Sequence, residues 1–469
     1  MLRKIWHNGI FKNISYSFIA NIISMAISVA MILILPKFLS VEEYGKWQLY
    51  IFYCSYLGVL HFGWIDGIYL RYGGCYLEKL DKRVFTGQFR GILVTELVLA
   101  ATGCVILGVV SLEDSTQQIL YGVCIVLTPF VMLTFSNVLL QITDKIQGYA
   151  KLVIVERVSF VFLACLCIAN GYRKCTSIMY MDLACKIIAA LYGAWLIKEV
   201  FVKNTNGYNH VLREAWTNIS VGIKLLLANL SGMLILGIVR FGIAYQWSVA
   251  TFGKISLILS ISNFVMVFIN SLSVVLFPIL KRIDVEKQCT IYVKVRSLMT
   301  MVMLVMLLMY YPLHDVFIWW LPKYEESIRN MALLFPIFLF ESRVILLTNT
   351  YFKSLRYEGV MLKCNMALLG TSLLFTVINI YFVKSLDIMV FSITLLFLLK
   401  NLLAEYLLSR ALKLHVFKMW FQEIALVSLF VAINYFFENS VLNFVIYGFA
   451  LTVYFYVNRS IVAVLKNAI

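Results

Sequence analysis

Apolar residues run along this chain in blocks of about twenty, separated by short polar segments, and a helix needs about that many to cross a bilayer. About 14 stretches qualify. The first half holds 14–35, 47–66, 88–110, 118–141, 151–169 and 177–200. The second half holds 217–239, 253–277, 298–314, 329–350, 361–383, 387–408, 419–437 and 441–458. Strand-type alternation is absent, which argues against a membrane barrel. The pattern predicts an all-α polytopic membrane protein.

Composition sharpens this. Of 469 residues, 62% are hydrophobic and 14% charged, with a mean hydropathy of +0.88. Soluble domains carry roughly 25% charged residues, so the apolar excess must face lipid. Lys and Arg then set the orientation. The N-terminus holds Arg3, Lys4 and Lys12; the second loop and its edge hold Arg71, Lys79, Lys82, Arg83 and Arg90; the eighth holds Lys281, Arg282, Lys287, Lys294 and Arg296. Alternate loops collect about 26 basic residues on this side and about 9 on the other, which makes the rich side cytoplasmic. Both termini are then expected in the cytoplasm, and the first span, with no small-residue cleavage site after it, reads as retained. The net charge of +16 follows from this bias. It is no nucleic-acid footprint, since no basic, aromatic domain stands outside the membrane.

Two segments of the chain echo each other. SVEEYGKWQL begins at Ser40 and SVATFGKISL at Ser248, an offset of about 208 residues (248 − 40). LTPF at Leu127–Phe130 and LFPI at Leu334–Ile337 place Pro129 and Pro336 about 207 apart (336 − 129). SNVLL from Ser136 and SRVILL from Ser342 follow them. Six spans separate the copies, so the halves read as parallel repeats about an axis along the membrane normal. This predicts two six-helix lobes, 1–205 and 206–412, with two extra transmembrane helices in 413–469.

LPKFLSVEEYGKWQL after the first span, WWLPKYEESIRNMALLFPIFLFE (Trp319–Glu341) and YFKSLRYEGVMLKCNMALLG (Tyr351–Gly370) resemble the bacterial polysaccharide flippases, the Wzx-like exporters of O-antigen and capsule units. The resemblance covers essentially the whole chain and rests on pattern more than on any catalytic signature. It implies the fold of the multidrug/oligosaccharidyl-lipid/polysaccharide exporters, in which the first, second, seventh and eighth helices line a central cavity. It also implies the bacterial inner membrane, a polyprenyl-diphosphate-linked oligosaccharide as substrate, a polysaccharide polymerase and other assembly proteins as partners, and a monomer.

Residues suited to such a cavity are present. Ser17, Asn21, Ser24 and Ser28 share one face of the first span; Ser256, Ser260, Asn263 and Asn270 share one face of the eighth. Such stripes line a cavity or bond neighbouring helices, because unpaired polar groups are costly in lipid. The spans also carry Asp66, Glu96, Glu156, Arg157, Asp182, Lys186, Lys224, Glu341, Arg343, Lys400 and Glu405. Each charge buried in a membrane costs at least about 2.5–3.5 kcal/mol. Asp182 and Lys186 are spaced to pair. Lys224 has no acid within a turn inside its span and shares a face with Ser220 and Ser231, so it suits an anionic ligand. Arg157, Arg343 and Lys400 are further candidate cations. Arg240, Lys254 and its repeat mate Lys46 flank the outer turns, where snorkelling is the competing reading. Asp66, in GWIDG between Gly63 and Gly67, is a candidate for proton or sodium coupling, as are Glu96 and Glu341.

The remaining chemistry is thin. The ten cysteines form no paired motif and the five histidines no ligand cluster, so neither a disulfide framework nor a metal site is indicated. No P-loop is present, and no cofactor is expected. A glycosyltransferase or polymerase normally needs a sizeable outer loop with catalytic carboxylates. The longest here, about 315–328, has Asp315, Glu325 and Glu326, but its Trp319 and Trp320 read as an interfacial anchor. The sequence reading is therefore a non-enzymatic flippase working by alternating access, with a multidrug/cation antiporter as the nearer rival.

Overall fold

The computed structural model describes residues 23–24, 26–143, 145–202, 208–262, 266, 285–328, 330–355, 357–412, 417–437 and 439–459. The described residues contain helices and no strand. They form two compact units, Met1–Leu230 and Ser231–Ile469. Among the described residues, ten helices are long and apolar enough to cross a membrane, and three apolar helices are shorter. The chain is a multi-pass membrane protein of the all-α polytopic class.

Unit 1 contains α1 (Ala26–Phe38), α2 (Val41–Cys54), α3 (Trp64–Tyr72), α4 (Lys82–Val109), α5 (Asp114–Ile142), α6 (Ile146–Ala169), α7 (Cys175–Leu196) and the start of α8 (Tyr208–Gln246). α5 is its central helix, packed on α2, α3, α4 and α7. Of its apolar window, 56% is buried, against 11% for α4, most of which is left uncovered. Unit 2 holds the end of α8, then α9 (Val249–Ser262), α10 (Val285–Met306) and α11 (Tyr310–Trp320). Next come α12 (Met331–Phe352), α13 (Glu358–Ile378), α14 (Leu386–Leu412), α15 (Phe417–Phe436) and α16 (Ser440–Val457). α12 is the core of this unit, with 89% of its window buried.

The two echoed segments adopt the same local structure. Ser40 is the N-cap of α2 and accepts the Glu43 N–H at 3.2 Å. Ser248 accepts the Thr251 N–H at 3.2 Å ahead of α9. Tyr44 and Phe252 are each 1% exposed, and the neighbouring Gly45 and Gly253 are buried. A serine cap satisfies a terminal N–H, and the buried ring with its small neighbour seats the helix.

Three expected boundaries are corrected. The stretch 47–66 is not one helix: α2 ends at Cys54 and α3 starts at Trp64. Phe62 (φ 52°) and Gly63 (φ 80°) are both left-handed, which a right-handed helix cannot accommodate. The stretch 298–314 continues through a tight turn to Trp320, so the expected outer loop from 315 begins as helix. The seventh span, expected at 217–239, is the 39-residue α8.

Candidate functional site

Three glycines position the N-terminal half of α8 in unit 1. A Cβ on Gly222 would lie 2.0 Å from the Gly63 carbonyl oxygen, and one on Gly67 would lie 1.9 Å from that of Asn218. Only glycine permits this approach of α3 to α8, the close contact expected from the Gly63–Gly67 spacing. Around it, Arg71 donates to Glu214 (2.9 Å) and to Asn218 (2.6 Å). Asn218 donates to Gln88 at 3.2 Å, and the Trp64 indole donates to the same amide oxygen. Successive helical residues turn by about 100°. With Gly222 against α3, Lys224 points away from it. Lys224 is exposed and forms no ion pair among the described residues. Ser220 is exposed too, whereas Ser231 is buried.

The other candidate cations divide sharply. Arg157 on α6 is exposed and forms no ion pair among the described residues. Lys46 is held by Glu42 and Glu43, each at 2.9 Å. Arg240 donates to the Ser256 hydroxyl at 3.0 Å and lies 5.1 Å above the Phe252 ring. Lys254 is half-buried, with Ala250 and Thr251 where its repeat mate has Glu42 and Glu43. Lys400 bonds both oxygens of Glu341, at 3.2 and 3.3 Å.

Arg343 sits in a buried cluster. It meets Glu423 at 2.6 Å, Glu405 at 3.7 Å and the Thr300 hydroxyl at 2.9 Å. Arg296 pairs with Glu405 and with Glu423 (2.8 Å). Tyr292 and Trp420 complete the shell of Glu405, at 2.9 and 2.6 Å. The four charged side chains are at most 4% exposed, and their two positive and two negative charges balance. Arg343 is thus placed as a structural partner joining α10, α12, α14 and α15, with its charge balanced inside the cluster. Glu423 and the buried role of Arg296 escaped the sequence reading, because their partners lie on other helices and far off in the chain.

The carboxylates proposed for coupling also differ. Asp66 lies 3.9 Å from the His61 Nε2, and His61 Nδ1 accepts the Gly63 N–H at 3.2 Å. Glu341 is neutralised by Lys400. Glu96, midway along α4, is 1% exposed, and its Oε2 has no hydrogen-bond partner among the described residues. Asp182 pairs with Lys186, as spaced, and also accepts the Tyr50 hydroxyl at 2.6 Å. In the polar stripes, Ser28 bonds the Ser24 carbonyl and Ser260 the Ser256 carbonyl, both at 2.8 Å. Ser256 is 2% exposed and serves Arg240, so it bonds a neighbouring helix. Ser17, Asn21, Asn263 and Asn270 lie outside the described residues.

No protein-family profile and no curated protein sequence matches the chain. Solved structures do share its fold. The lipid II flippase MurJ, in an inward closed conformation, matches with a TM-score of 0.65 at 12% identity, over 96% of this chain and 100% of that one. An inward-facing multidrug resistance MATE family transporter of the MOP superfamily matches at 0.60 and 12%, over 84% and 99%. A MOP superfamily transporter from Pyrococcus furiosus matches at 0.51 and 15%, over 86% and 97%. The chain shares the fold of these structures.

Proposed function

We propose that this protein is a lipid-linked oligosaccharide flippase. It moves a polyprenyl-diphosphate-linked glycan unit from the inner to the outer leaflet by alternating access, for assembly of a surface polysaccharide, with both termini cytoplasmic. The observation that carries this reading is Lys224. It lies 16 residues, about 24 Å, into a membrane-crossing helix, exposed and without an ion pair among the described residues. A cation kept in a span without a counter-charge suits an anionic substrate, and ammonium groups bind phosphate through charge-assisted hydrogen bonds. Arg157, the other candidate cation that is exposed without an ion pair among the described residues, serves the same purpose. The fold likeness adds support, since MurJ is named a lipid II flippase and is matched over more of this chain than the MATE transporter.

Glu96 favours a second reading, a multidrug/cation antiporter, because a buried carboxylate without a partner suits proton exchange against a cation. Under the first reading the same residue carries the coupling proton.

One experiment separates them. The full chain is reconstituted in proteoliposomes with a fluorescent polyprenyl-diphosphate oligosaccharide, and leaflet transfer is read from accessibility to a membrane-impermeant quencher. Wild-type protein should transfer the lipid. Lys224→Ala should lose at least about tenfold in rate at equal protein level, while Lys224→Arg retains part, since Arg keeps the charge with a different donor geometry. Proton-driven uptake of a cationic dye without lipid transfer would establish the antiporter instead.

A further inference from the structure

Unit 2 contains a polar cavity of about 660 Å³ that the reading above does not use. It lies at the end of the unit that the Lys/Arg tally assigns to the outer side. α11 contributes Tyr310 and His314, the end of α15 contributes Asn434 and Tyr435, and the start of α16 contributes Ser440 and Asn443. Its size is within the range of small-ligand pockets.

The walls are fixed in place. Tyr310 packs edge-on against Tyr311, Phe335 and Phe430, with ring centroids 5.3–5.7 Å apart. The Tyr435 hydroxyl is anchored on Asp387 at 2.9 Å. Asn434 donates to the Tyr311 hydroxyl (3.2 Å) and to the Phe430 carbonyl (2.8 Å). Asn439 caps α16 by accepting the Leu442 N–H at 3.0 Å, which sets the register that buries Asn443.

Asn443 is 2% exposed. Its amide nitrogen is satisfied by the Phe437 carbonyl at 2.9 Å and by Asn434 Oδ1 at 3.4 Å. Its own Oδ1 has no hydrogen-bond partner among the described residues. A buried acceptor is rarely left unmade, so a donor from a ligand fits here. Among the described lining residues, the charges at the mouth, Lys323 and Glu325, are of opposite sign and exposed. Their balance disfavours a strongly charged ligand, and the two amides disfavour a purely apolar one. Aromatic faces beside amide and hydroxyl groups suit a molecule with C–H faces and many hydroxyls.

We propose that this cavity is a saccharide-binding site, taking one or two uncharged sugar rings that stack on the tyrosines and donate to Asn443 Oδ1. It deepens the flippase reading by giving the glycan a place to dwell at the outer side, and it rests on that reading for the glycan's arrival there.

The test uses the purified full chain in nanodiscs and unlipidated disaccharides, diacetylchitobiose and lactose, with saturation-transfer NMR and calorimetry. At least one sugar should bind saturably. Asn443→Leu should weaken it about tenfold or more by removing the acceptor. Phe437→Ala, at an exposed lining position whose loss spares the core, should weaken it about threefold. If neither sugar binds saturably, or both variants bind as wild type does, the site is overturned. Sugar binding without leaflet transfer would sink the flippase reading and keep the site; transfer without sugar binding would do the reverse.

Discussion

The two units place opposite chemistry at positions separated by the offset of the echoed segments. Phe89 of α4 and Arg296 of α10 stand 207 residues apart (296 − 89), at the offset of the two prolines. In unit 1 Phe89 meets Phe135 and Phe201 edge-on, at 5.3 and 4.9 Å. In unit 2 Arg296 enters the four-charge cluster with Glu405, Arg343 and Glu423. Ring contacts are weakly directional and survive small changes. A buried charge cluster holds only while each member is balanced, because removing one leaves another charged and unpaired. The second unit uses this to fasten α15, a helix beyond the repeat, to the repeat itself. Unit 1 is thus closed at this position by packing and unit 2 by charge, and the charge cluster also holds α15.

The largest expected effect tests that difference. Glu423→Ala leaves two arginines facing one carboxylate and should cost about 3–5 kcal/mol. Phe89→Ala, which truncates a half-buried ring, should cost about 1–2 kcal/mol. Thermal unfolding in detergent measures both, and a larger loss for Phe89→Ala would break the comparison.

Next is the glycine contact, which unit 1 has between α3 and α8. Gly67→Ala places a methyl group against the Asn218 carbonyl and should cost about 1–3 kcal/mol, by forcing the helices apart. Gly370→Ala in α13 of unit 2 meets nothing within 4 Å. It should be neutral or slightly stabilising, since alanine is the better helix former. Equal losses for the two would remove the close contact as an explanation.

The smallest effect concerns the echoed turns. Burial works against ionisation of Glu43, yet the Cys175 N–H and Lys46 hold its carboxyl below the usual 4.5. A depressed carboxylate contributes stability that is present above its unfolded value and lost as pH falls through the folded one. Amide hydrogen exchange at the start of α2 should therefore quicken as pH drops below about 4.5, after correction for intrinsic rates. The start of α9, with Ala250 and Thr251 in place of the two acids, should show no such change. Parallel behaviour of the two turns would contradict the assignment.

Much of the fold is legible in the hydrophobic pattern. Helix type follows from length and apolarity, because a bilayer accepts few other solutions. The close contact at Gly63 and Gly67 is also legible, since only a missing side chain allows it. The break between Cys54 and Trp64 is not, because a left-handed turn at Phe62 and Gly63 leaves hydropathy unaltered. Lys224 is found from sequence because its span offers no nearby acid. Arg343 looks equally solitary in sequence, and its partners on α14 and α15 show only in three dimensions.

The sequence alone determined that the chain crosses a membrane many times, that its halves share a turn and a proline, and which spans carry charge. These are properties of composition and local spacing, and they hold whatever neighbours a helix has. Tertiary structure alone decided which charges are neutralised: Arg343 by Glu423, Lys400 by Glu341, Lys46 by its own turn, and Lys224 by none of the described residues. It also decided that Asn443 keeps a buried acceptor unmet. Ion pairing and hydrogen bonding act over a few ångströms, and only folding brings residues 80 or 109 positions apart within that reach.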